Sequence, residues 1–169
     1  MIFGRPGSGK STFAYTLGQK IGLPLYHLDK YFFQSHWQER DEQDFMRLQN
    51  KMVQSQEWII DGNSTRSLET RWARADLVLY FNFPKTLCLY RIIKRRLQKN
   101  RGLDDRADQC PEILRWRLLW YMWSFESRVA PLLQTYQEKY PHVTFMEICS
   151  DKAARAVKSL LEMPSEILS

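Results

Sequence analysis

The chain has no apolar run near the roughly 20 residues that a membrane-crossing helix requires, and a glycine-rich motif fills its first residues, where a secretory leader would need an apolar stretch. A soluble, cytoplasmic protein with no membrane contact is expected. Cysteine is scarce: Cys88, Cys110 and Cys149 are odd in number and lack C-x-x-C spacing, which excludes a disulfide framework or a structural zinc site as the organising feature. His27, His36 and His142 are scattered without ligand spacing. Internal repeats and low-complexity tracts are absent as well.

What is present is 169 residues that are 44% hydrophobic, enough for one well-buried domain spanning residues 1–169 and short for two. The net charge of +6 and pI near 9.3 are unevenly placed. Arg91, Lys94, Arg95, Arg96, Lys99, Arg101 and Arg106 face only Asp104 and Asp105 within their stretch. Such a cluster suits a polyphosphate substrate or a nucleic-acid backbone. The opening motif favours the first.

That motif is Gly4-Arg5-Pro6-Gly7-Ser8-Gly9-Lys10-Ser11, a match at every specified position to the phosphate-binding pattern G-x-x-x-x-G-K-S/T. Glycines let several backbone N–H groups turn inward on one phosphate, and Lys10, Ser11 and Thr12 open a helix whose N-terminus attracts anions. Lys10 is expected on the β/γ-phosphates and the Ser11 hydroxyl on Mg²⁺. The context agrees: Met1-Ile2-Phe3 is an apolar strand end, and Phe13, Ala14, Leu17 and Ile21 recur at helical spacing.

Further strands are predicted at 25–28, ending on Asp29; at 57–60, ending on Asp61-Gly62-Asn63; at 77–83; and at 143–148. Helices are predicted at 39–54, 68–75 and 84–99. Another runs from Pro111 until Pro131 kinks or ends it, with Trp116, Trp120 and Trp123 as a core-facing stripe. The closing helix, 151–162, has Ala154, Val157, Leu160 and Leu161 as its inner face. Strands that alternate with helices and are apolar throughout imply a parallel sheet covered on both sides.

The order of these parts resembles the adenylate-kinase-like group of P-loop kinases, and within it the bacterial DNA topology modulation protein family. The resemblance is carried by Gly4 to Thr12, His27-Leu28-Asp29 followed by Trp37, Trp58 through Asn63, Arg74-Ala75-Asp76, and Arg101 through Cys110-Pro111-Glu112. It implies a P-loop three-layer α/β/α sandwich around a five-stranded parallel sheet of order 2-3-1-4-5. It also implies an acceptor-binding segment at about 30–56 and a lid at about 100–111. Members of the group have a longer first strand, so a short or truncated one is expected here. The zinc-binding cysteine set of some adenylate-kinase lids is missing, since Cys110 stands alone.

Asp61, after a buried strand and before Gly62, suits Mg²⁺ coordination beside the phosphates, with Asn63 next to it. Asp29 can accept the proton of an attacking hydroxyl or orient the acceptor. The resemblance places Arg40 and Arg66 on the acceptor, and Trp37 is a candidate for stacking on an acceptor base. Arg95, Arg101, Arg106 and, from the helix after the lid, Arg128 are candidates for neutralising the transferring phosphoryl group. The residues thus point to an ATP- and Mg²⁺-dependent kinase, as monomer or homodimer, acting on a small acceptor such as a nucleoside or nucleoside monophosphate. The alternative is a nucleotide-binding regulatory protein or ATPase associated with DNA topology, although no DNA-reading module is present.

Overall fold

The computed structural model describes residues 1–34, 36, 38–97 and 116–163, with backbone alone at 116–118. Strand β1 (Ile2–Gly4) is short but central. It pairs in parallel with β5 (Ile59–Asp61) through Ile2 and Asp61, and with β6 (Leu77–Phe81) through Ile2 and Leu79, Phe3 and Tyr80, Gly4 and Phe81. Strand β2 (Leu25–His27) lies beyond β5, and β7 (Thr144–Ile148) beyond β6. Taken in chain order, the sheet's five strands run 2-3-1-4-5, the expected order.

The strands are apolar on both faces because helices cover both. Ile2, Leu79 and Phe81 point to one side, against Phe13, Ala14 and Leu17 of α1 (Lys10–Ile21) and Ile92 of α5 (Lys85–Leu97). Phe3, Val78 and Tyr80 point to the other, against Trp72 of α4 (Leu68–Trp72) and against Phe125 and Val129 of α7 (Phe125–Lys139). Between β2 and β5 lie a short helix α2 (Leu28–Phe32), a hairpin of β3 (Phe33–Gln34) and β4 (Gln38–Glu39), and α3 (Glu42–Gln54). Helix α3 begins later than its sequence pattern predicts because Asp41 caps it, accepting from Gln43 N–H at 2.9 Å and Asp44 N–H at 3.2 Å.

Two expectations are corrected. The long helix predicted up to Pro131 is broken at Ser124, between α6 (Trp116–Trp123) and α7, and Pro131 sits inside α7 without ending it. Pro131 and Ser127 are both exposed, so the Ser127 carbonyl that loses its amide partner is solvated, while Phe125, Val129 and Tyr136 keep the helix seated in the core. Of the tryptophan stripe, Trp120 and Trp123 are not core, being 73% and 61% exposed, because α6 buries the face that carries Met122, and the Trp116 side chain lies outside the described residues. In α8 (Asp151–Leu161), Leu160 is likewise exposed, and Ala153 joins Ala154, Val157 and Leu161 against the sheet.

Candidate active site

Past Gly4 the chain turns over the strand tips. Gly7 and Gly9 take φ of 81° and 93°, a region that glycine enters without strain. Space is limiting too, since a Cβ on Gly7 would stand 2.5 Å from the Cys88 carbonyl oxygen. Ser8 N–H donates to the Arg5 carbonyl at 3.1 Å, closing the turn that contains Pro6. Helix α1 then starts at Lys10 with no side-chain cap and no acidic residue in its first turn. Its first amides and positive dipole end are therefore left for an anion from outside, with Lys10, Ser11 and Thr12 around it. The Ser8 hydroxyl is buried and without a partner among the described residues.

Asp61 closes β5 and is 3% exposed. His27 Nδ1 lies 2.9 Å from its Oδ2, whereas its Oδ1 has no hydrogen-bond partner among the described residues. Burial works to raise the proton affinity of this carboxyl. The His27 hydrogen bond, the Lys10 charge and the Ser11 hydroxyl together outweigh it and hold Asp61 below the usual carboxylate range. An ionised carboxylate with one bare oxygen near a hydroxyl fits a hard divalent cation. Among the described residues no cluster of 3 or more His, Cys, Asp or Glu could hold a metal. An ion here would draw on Ser11 and Asp61 and complete its shell with phosphate oxygens and water, as Mg²⁺ commonly does.

Asn63 joins the loop to α6: its Oδ1 accepts from Gly4 N–H at 3.0 Å and its carbonyl from the Tyr121 hydroxyl at 3.1 Å. Arg128 stacks on Tyr121, with its guanidinium carbon 4.2 Å from the ring centroid, and donates to the Tyr121 carbonyl at 3.0 Å. Burial pushes the Tyr121 phenol up to about 12, Arg128 opposing this and Asp29 adding to it. Asp29, Asn63, Tyr121 and Arg128 thus gather on one side of the loop. Asp29 is not a strand-tip residue, because the strand stops at His27 and Asp29 lies in the first turn of α2.

The other predicted cations are placed differently. Arg66 is ion-paired with Glu42 at 2.6 Å on the surface, and Arg40 Nε donates to the Tyr31 carbonyl at 2.7 Å. Arg95 is exposed, one turn along α5 from Arg91. Trp37, Arg101, Arg106 and the 100–111 lid lie outside the described residues.

Three more arginines bear on the site: Arg91, read from the sequence only within the basic cluster, and Arg71 and Arg5, which sequence reasoning did not assign to it. Arg91 donates to the Ser8 carbonyl at 3.0 Å and to Asp151 at 2.6 Å. It lines a cleft of ≈ 330 Å³ with Ser8, Thr12, Thr16, Asp151 and Arg155, where α1, α5 and α8 meet. Arg71 is fully buried, which pulls its guanidinium down to about 10, and it holds the loop after β5 through the carbonyls of Gly62 at 3.1 Å and Ser64 at 2.6 Å. Arg5 occupies an unspecified position of the motif, yet is 2% exposed and bonded to the Phe83 carbonyl and to Glu126. The one available signal for Arg5 was its size: a long side chain in a loop of small residues has to leave the loop.

Phosphate loop, strand order and flanking helices define one architecture. The fold is that of the P-loop kinases. A shikimate kinase from Bacteroides thetaiotaomicron is 19% identical, with 96% of each chain covered and a TM-score of 0.55. A shikimate kinase from Acinetobacter baumannii in complex with shikimate is 17% identical, covers 99% of this chain and 91% of its own, and has a TM-score of 0.59. An uncharacterized protein from Eubacterium ventriosum, 15% identical over 96% of this chain and 97% of its own, has a TM-score of 0.52. No protein-family model and no curated protein matches the chain. Among the described residues no helix is long and apolar enough to cross a membrane.

Proposed function

We propose that this chain is a Mg²⁺-dependent kinase that moves the γ-phosphoryl group of ATP to a hydroxyl of a small acceptor. The observation that carries this reading is the meeting of Lys10, Ser11 and an ionised Asp61 with one bare oxygen beneath an uncapped helix N-terminus. The loop amides and Lys10 hold the donor phosphates, and the cleft beside Arg91 takes the rest of the nucleotide. Bound Mg²⁺, held by Ser11 and Asp61, supplies charge neutralisation on the phosphates. As the acceptor oxygen bonds to the γ-phosphorus and the bond to the ADP oxygen breaks, Asp29 takes the hydroxyl proton or orients the hydroxyl. Arg128, with Arg95, Arg101 and Arg106, serves the charge that develops. Rate comes from in-line positioning and electrostatics.

Residues 30–56 form the acceptor segment and 100–111 the lid of a single domain. The surface pairing of Arg66 with Glu42 and the bond from Arg40 to Tyr31 favour an acceptor without a phosphate, a nucleoside ahead of a nucleoside monophosphate. Small hydroxylated acids belong on the same panel, since one structural neighbour holds shikimate. The test follows labelled γ-phosphate from ATP onto nucleosides, nucleoside monophosphates and hydroxylated metabolites. Wild type is expected to label at least one of them and a folded Lys10→Ala none. Unchanged transfer by Lys10→Ala, or transfer to water alone by wild type, would refute the reading.

A further inference from the structure

Helix α7 carries an acid that reaches the floor of the phosphate loop. Glu126, in its first turn, lies 2.8 Å from Arg5 Nη2. We propose that Arg5 is a positioning residue that, through Glu126, clamps the phosphate loop to α7 and so sets donor affinity. The inference rests on the proposed function only in taking Mg·ATP as the donor.

Arg5 is held at its backbone as well as its side chain. Its N–H donates to the Phe81 carbonyl at 3.1 Å, its own carbonyl accepts from Ser8 N–H at 3.1 Å, and Nη1 donates to the Phe83 carbonyl. The side chain therefore runs down toward the end of β6, away from the anion site. Its neighbour Gly4 is tied the other way, to Asn63. Beyond these anchors the loop carries positive φ at Gly7 and Gly9 and runs into the uncapped first turn of α1. Uncapped amides at a helix N-terminus repel one another until an anion arrives, so a loop without its anion tends to relax, and a tether that prevents relaxation raises affinity.

Glu126 suits the anchor's role. The flanking Phe125 and Val129 are fully buried, so the first turn of α7 is fixed in the core, while the carboxylate itself is half-exposed and can pair without a large desolvation cost. Pairing also tells position from charge. A guanidinium meant to attract phosphate would be weakened by a carboxylate at 2.8 Å, whereas one meant to fix the loop needs it.

The experiment is calorimetric titration of the full chain with Mg·ATP in wild type, Glu126→Ala, Arg5→Met and the double variant. Each single change is expected to raise Kd about tenfold. The double variant should be no weaker than the weaker single, while Glu126→Ala melts within about 3 °C of wild type. A Kd within about twofold of wild type in folded Glu126→Ala overturns the inference, as do penalties that multiply in the double variant. Glu126→Ala alone decides if Arg5→Met does not fold. A wild type that binds Mg·ATP but phosphorylates no acceptor sinks the kinase reading and leaves this inference intact; one that binds no nucleotide overturns both.

Discussion

Asp61 is pulled in opposite directions by its surroundings. Burial favours the protonated acid, while His27, Lys10 and Ser11 favour the anion and prevail. Because the folded-state pKa lies below the ordinary 3.8, ionised Asp61 contributes stability that is complete above pH 3.8 and is lost as pH falls through the lowered value. Asp61→Asn keeps the size and loses the charge. Its urea midpoint is expected below wild type at neutral pH, and the two should converge as pH falls below 3.8. In the phosphoryl-transfer assay the same variant should lose on the order of 10²–10³-fold in kcat, an electrostatic contribution of the usual size. Retention of full kcat would remove Asp61 from the site. The loop residues were legible in the sequence because a backbone cradle for phosphate imposes a strict local spacing, and Asp61 because it ends an apolar strand just before Gly62. His27, Arg5 and Arg71 were not, because their partners lie 34, 121 and 9 residues away and no local rule links such positions.

Helices and strands whose apolar residues face a single neighbour followed their sequence pattern closely. Helix α1 is an example, since it packs on one surface and periodicity and burial coincide, while strand β6, covered on both faces, followed its nearly uninterrupted apolar run. The α6–α7 unit departed from its pattern because it serves several partners. Met122 packs with the α1–α5 side of the sheet, Phe125 with the opposite side, and Tyr121 reaches Asn63. A straight helix cannot aim at all of these, and the break at Ser124 re-aims the chain. Within α7, Pro131 leaves an exposed carbonyl unpaired without a packing role that would compensate. Pro131→Ala is therefore expected to raise stability by about 1–3 kcal/mol, read from the urea midpoint. A lowered midpoint would mean that proline's restriction of the unfolded chain is the larger effect.

At the scale of the molecule, the strand order reverses beside β1, which brings the phosphate loop, the Asp61 tip and the α6–α7 unit to one edge of the sheet. Folding and donor binding are linked there: Mg·ATP at about 100 times its Kd should add about 2.7 kcal/mol and raise the melting temperature by about 5–10 °C. Lys10→Ala should show no such rise, and an equal rise in that variant would place the nucleotide elsewhere. The sequence alone determined the chemistry of the loop and the alternation of strands and helices, since glycine spacing and hydrophobic period are local properties of the chain. Only the tertiary structure decided which distant side chains complete the site. It left one oxygen of Asp61 bare near Ser11, joined Arg5 to α7, and turned Arg66 to a surface partner, because burial and pairing depend on how separate elements pack.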